Sequence, residues 1–220
     1  MVDGPFSVQL REASWPHHRR AEHTEYLKAL VTGRVDSRGY AAMVAQHWYA
    51  YVALEEAGRT LRHDPVAGRF WFAELERVPA LERDLHALLG PQWNGVIAPS
   101  EATARYVERI RAVCFTWPAA FVAHHYTRYL GDLSGGQYLA KAVQRCLGLD
   151  HSTGTAFYDF SHLRDLDAFK DDYRRHLDAV EWSPGDRERF IAETNYAYYL
   201  NTEVLVQLVG EVVDNAGARQ

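Results

Sequence analysis

At 220 residues, 47% of them hydrophobic, the chain carries enough apolar material for one substantial core. Its formal charge of −5 speaks against nucleic acid as a partner. No apolar run reaches the roughly 18 residues of a membrane span, so no membrane anchor is expected. The opening residues, MVDGPFSVQLRE, lack the basic-then-apolar order of a signal peptide, which points to a cytoplasmic protein. Cys114 and Cys146 have no metal-ligand spacing and are expected to be reduced, buried thiols.

The apolar pattern is helical from end to end, with no convincing alternating strand. A first helix is expected to end near Val31, before Gly33. Asp36 is placed to cap a second, whose face carries Tyr40, Met43, Val44, His47, Trp48, Tyr51, Leu54, Gly58 and Leu61. Prolines 65, 79, 91 and 99 then predict shorter helices. Ser100 opens a helix through Val113, and a long one spans roughly 117 to 147. A loop rich in Gly, Ser and Thr follows. The last helices run about 163–181 and 184–213, with Ser183 as N-cap and Pro184 in the first turn. The expected architecture is all-α, a single domain over residues 1–220.

The segment from His124 to Gln137 carries the strongest chemical signal. Gly131, Gly135 and Gly136 interrupt its helical spacing, and each costs about 1 kcal/mol relative to alanine in a helix interior. Glycines clustered around Asp132 predict a helix bent and bared for something flat to lie on its backbone. Arg128 and Asp132 are four apart and Tyr129 and Asp132 three apart, which suits either an intrahelical ion pair or an acid that organises water. His18 and Glu22 share a face one turn apart, as a surface contact or as a metal-ligating imidazole with its supporting carboxylate. Lys170 and Arg174 are either a solvated face or, with Arg11, a set of cations for an anion. Tyr51 and Asn201 lie on apolar faces and need polar partners if buried.

Taken together, Arg-Tyr-Leu-Gly-Asp-Leu-Ser-Gly-Gly-Gln (128–137), His18-Arg19-Arg20-Ala21-Glu22, Tyr51-Val52-Ala53-Leu54-Glu55-Glu56, Phe169-Lys170, Tyr173-Arg174 and Leu200-Asn201 resemble the haem oxygenases of the soluble bacterial type. The resemblance implies a helical domain holding haem b between a proximal and a distal helix. His18 matches the proximal iron ligand and Glu22 its supporting carboxylate. Gly131, Ser134, Gly135 and Gly136 match the distal helix over the porphyrin. Asp132 matches the acid that holds distal water, with Tyr51, Arg128, Tyr129 and Asn201 as its hydrogen-bonding surroundings. Arg11, Tyr126, Lys170 and Arg174 match residues that meet the haem propionates. The implied reaction uses O2 and reducing equivalents to open haem to biliverdin (the α isomer), carbon monoxide and ferrous iron, haem being both cofactor and substrate. A ferredoxin or a flavin/NADPH-dependent reductase is the implied electron donor, and a monomer the implied state. The alternative is a haem carrier or sensor that does not cleave. Two departures stand out: Trp15 replaces a lysine common near the propionates, and Pro16 is expected to interrupt the helix just before His18.

Overall fold

The computed structural model describes residues 4–151 and 153–217, with side chains described as far as residue 210. The amphipathic pattern folds into nine α-helices joined by short 3-10 turns, with no strand among the described residues. The three caps expected from the sequence, Asp36, Ser100 and Ser183, act as their residue types predict. In α3 (Ser37–Leu61) the Asp36 carboxylate accepts from the Gly39 N–H at 2.9 Å. In α5 (Glu101–Cys114) the Ser100 hydroxyl accepts from the Thr103 N–H at 3.2 Å. The Ser183 hydroxyl does the same for Asp186 at the start of α9 (Pro184–Gly217), at 3.1 Å. Between α3 and α5 the proline-punctuated stretch holds only 3-10 turns and α4 (Val78–Leu89).

The first helix differs from its expected form in two ways. It is two helices, α1 (Phe6–Glu22) and α2 (Glu25–Val31), broken where Thr24 becomes extended and its hydroxyl donates back to the Ala21 carbonyl at 3.1 Å. A threonine that offers the backbone such an alternative ends a helix without glycine or proline. Pro16, conversely, does not interrupt α1. Proline deprives the carbonyl four residues back of its partner, and here that residue, Glu12, is exposed, so water can replace the lost bond.

The long helix expected over 117–147 is also segmented. It comprises α6 (Pro118–His125), two π-helical stretches at Tyr126–Leu130 and Asp132–Gly136, and α7 (Gln137–Leu147), which stops at a left-handed Gly148. The penultimate helix, α8 (Leu166–Asp178), is shorter than the apolar pattern suggests. α9 is the hub: α1, α2, α3, α5 and α6 all pack on it. The tyrosines are chiefly core residues, with Tyr26, Tyr40, Tyr51, Tyr106, Tyr158 and Tyr173 fully buried. Tyr26 and Tyr40 discharge their hydroxyls onto the carbonyls of Gly39 (3.0 Å) and Gly154 (2.9 Å). Both cysteines are free; Cys114 is buried, while Cys146 is only half-buried.

Candidate functional site

A cleft of about 330 Å³ opens between α1–α2 on one side and the π-helical segment with α7 on the other, with α3 and α9 closing its depth. Its walls are mostly apolar, including Leu27, Val31, Met43, Leu139, Phe157 and Leu205. Polar groups reach it from every side, among them His18 and Glu22 of α1, Lys28 of α2, His47 of α3, Arg128 and Asp132 of the π-helical segment, and Asn201 of α9. Apolar walls with a few converging polar groups are the usual form of a small-molecule site.

The glycines divide by role. A Cβ placed on Gly131 or Gly135 would meet no atom within 4 Å, so any side chain there would stand in the open cleft. At Gly136 a Cβ would come within 3.1 Å of the Tyr158 ring, so this glycine serves close packing as well as lining the cleft. Ser134 is exposed and is not part of the cleft wall.

The π-helical winding decides the electrostatics. Bonds from i to i+5 widen each turn and take residues four apart out of line. The intrahelical Arg128–Asp132 ion pair is accordingly not formed. Instead the Arg128 guanidinium crosses the face of Tyr51, 4.9 Å from the ring centroid, and Nη1 donates to Asn201 Oδ1. Arg128 is almost fully buried, and its Nε and Nη2 have no protein partner, so water or a ligand must meet them. Asp132 instead accepts from the Tyr51 hydroxyl. Its surroundings raise the carboxyl to about 6: burial dominates, against the opposing Arg128 charge and the Tyr51 hydrogen bond.

Tyr129 departs from its expected place beside Asp132. Its hydroxyl donates to Glu55 at 3.2 Å, and it reaches Asp132 only through Tyr51, against whose ring it packs edge-on at 5.2 Å. The same winding turns Tyr129 to the rear of the helix. Glu55 also accepts from the N–H groups of Arg77 (2.5 Å) and Val78 (3.0 Å) at the start of α4, and burial raises it to about 7.

On the opposite wall His18 is the one of three clustered histidines that lines the cleft. His23 turns its Nδ1 to the Arg19 carbonyl at 2.7 Å. Glu22 Oε2 stands 3.5 Å from His18 Nδ1 without hydrogen-bond geometry.

The expected anion-binding cations do not line the cleft. Lys170 pairs with Asp167 at 2.7 Å, and Arg174 with Asp171 at 2.5 Å, both within α8. Arg11 lies 5.9 Å from the Trp15 ring centroid. Tyr126 is buried and does not line the cleft either; burial raises its hydroxyl, against the nearby charges of Arg174 and Arg11.

Several wall residues carry no sequence signal for the site. His47 stacks on Phe157 with centroids 5.5 Å apart; burial holds it well below the usual histidine range, helped by Arg128. Phe157 and Tyr158 belong to a loop pinned by Asp84, which accepts from the Ala156 and Phe157 N–H groups at 2.7 and 2.8 Å. Arg77 donates to the Asp159 carbonyl of the same loop at 2.8 Å. A lone Asp or Arg in an amphipathic helix gives no warning of such long-range bonds.

This is an all-helical protein whose cleft sets a histidine-bearing helix against a glycine-opened one that carries a tuned carboxylate. The sequence profile of the family described as heme oxygenase matches residues 4–207. The heme oxygenase of Rhodella violacea is 36% identical over 208 residues, covering 94% of this chain and 88% of that protein. Heme oxygenase 1 of Pongo abelii is 40% identical over 204 residues, covering 92% and 71%. The crystal structure of heme oxygenase-1 from Synechocystis sp. PCC 6803, solved in complex with heme, superposes with a TM-score of 0.92 at 35% identity, covering 98% and 97% of the two chains. The chain belongs to the haem oxygenase family and is an enzyme of that family.

Proposed function

We propose that the cleft binds haem b between His18 and the Gly131–Gly136 backbone and that the protein opens the ring to biliverdin, carbon monoxide and ferrous iron. The carrying observation is Asp132, raised to about 6 and held by Tyr51, set between two glycines that leave the wall beside it bare. A carrier or sensor has no use for an acid so placed. The residues present suit the group: side-chain-free backbone at 131 and 135 fits a flat ring, and the apolar walls fit its hydrocarbon edges.

When bound, haem supplies the iron at which O2 is activated by incoming electrons. The chain supplies the rest. His18 offers an imidazole to the iron, with the Glu22 carboxylate 3.5 Å from its Nδ1. Arg128, with two donors lacking protein partners, holds water beside Asp132, and Asn201 fixes the guanidinium by accepting from Nη1. Asp132, poised near neutral pH, takes a proton from that water or returns it at the oxygen being activated. Tyr51, buried behind the cleft wall, holds one oxygen of that carboxylate. Exposed Arg19 and Arg20 at the end of α1 suit an acidic electron donor, a ferredoxin or a flavin/NADPH-dependent reductase. A monomer suffices, since one chain contains every residue of the site, and free thiols suit the cytoplasm. The test is turnover. Haem-loaded protein given ascorbate or a reductase in air should lose its Soret band and yield biliverdin by chromatography. A Soret band that persists would establish a carrier.

We assign the propionates to Arg11, Tyr126, Lys170 and Arg174, and α-meso cleavage to the orientation they impose. Lys170 and Arg174 would exchange Asp167 and Asp171 for propionate oxygens, a modest change for the exposed Arg174–Asp171 pair, since such pairs are worth little. The double variant Lys170→Ala/Arg174→Ala should weaken haem binding by about tenfold or more, or alter the biliverdin isomer ratio. Unchanged affinity together with an unaltered isomer ratio would remove both residues from the clamp.

A further inference from the structure

Arg11, Trp15, His18 and Glu22 follow one another along α1 at spacings that place them on one helix face. Within that stripe the Trp15 indole lies flat against the His18 imidazole, with ring centroids 5.1 Å apart and planes 9° apart. Tyr198 meets the imidazole edge-on, at 5.7 Å and 77°. Arg11 stands 5.9 Å from the Trp15 ring centroid, within cation–π reach. Glu22, by contrast, makes no hydrogen bond to His18 Nδ1. Aromatic surfaces therefore hold the ring, where a ligating histidine is more often fixed by a hydrogen bond from its second nitrogen. Trp15 is 46% exposed, so burial alone does not account for its place.

We propose that Trp15 is the positioning residue of the iron-ligating imidazole: its flat contact fixes the plane of the His18 ring and hence the direction in which Nε2 is presented to the metal. Rotation of the imidazole about its Cβ–Cγ bond would take it out of this parallel contact with the indole. Arg11 steadies the indole in turn, so the stripe couples a cation assigned to the propionates with the metal ligand. This proposal rests on the reading of His18 as the ligand.

The test compares Trp15→Phe, which keeps an aromatic face, with Trp15→Leu, which keeps bulk without one. In the haem-loaded ferric protein treated with cyanide, EPR g values and the spread of haem methyl NMR shifts report the imidazole plane. Trp15→Leu should move both while Trp15→Phe stays near the parent, and haem dissociation from Trp15→Leu should quicken by between about two- and tenfold. In the haem-free protein, the His18 ring-proton resonances should lose their indole ring-current shift in Trp15→Leu. A purely structural tryptophan would lower the melting temperature and leave the EPR pattern in place. A Trp15→Leu pattern superimposable on the parent, with haem bound, overturns the proposal. His18→Ala retaining the histidine-ligated spectrum would instead overturn the ligand reading beneath it.

Discussion

His18→Ala is expected to abolish the histidine-ligated ferric spectrum and, with it, biliverdin formation, while the protein still folds. The side chain is partly exposed at the cleft, and its ring contacts are Trp15 and Tyr198, so its removal leaves no buried charge behind. Haem should still be retained weakly, because the apolar walls and bare backbone at 131 and 135 are untouched. Added imidazole should enter the space vacated and restore part of the spectrum. His17→Ala and His23→Ala should resemble the parent, as neither residue lines the cleft. Loss of the spectrum in either of those, with His18→Ala unaffected, would reassign the ligand.

Asp132→Ala should bind haem with little change and lose about a hundredfold or more of its biliverdin rate, the usual worth of a positioned acid–base group. Hydrogen peroxide should then consume haem without giving biliverdin. An unchanged yield would refute the role. Asp132→Asn adds a test by pH. The folded protein raises this carboxyl from 3.8 to about 6, so it binds a proton more tightly than the unfolded chain does. Its contribution to stability is whole below about pH 4 and is lost as the pH rises through 6. The amide carries no such dependence. The melting-temperature difference between variant and parent should therefore shift in favour of Asn between pH 4 and 7. A difference that is flat across that range would place the carboxyl at its ordinary value.

Glu55 illustrates what a sequence conceals. It lies in a run of α3 that looks like surface charge, yet it is buried, accepts from the start of α4 and from Tyr129, and sits at about 7. Glu193 is similar. It joins His124 (3.0 Å) to Arg109, and although burial works to raise it, those two partners hold it down at about 2. Each partner lies tens of residues away in the chain, and no local periodicity encodes the meeting. Pro16 shows the opposite error, a local signal overridden because its helix has water on that side.

The chain's own order of residues determined the helices, because apolar spacing and the side chains of Asp36, Ser100 and Ser183 act within a few residues of themselves. It also determined the stripe His18–Glu22 and the glycine-flanked Asp132, since helical spacing alone places those groups on one face. Folding in three dimensions decided which of them face one another. The π-helical winding swung Arg128 to Asn201 and Tyr129 to Glu55 and left Asp132 to Tyr51. The packing of the helices left Lys170 and Arg174 of α8 off the cleft wall. Those choices depend on how buried polar groups from distant helices satisfy one another, an energy that exists only once the helices have packed.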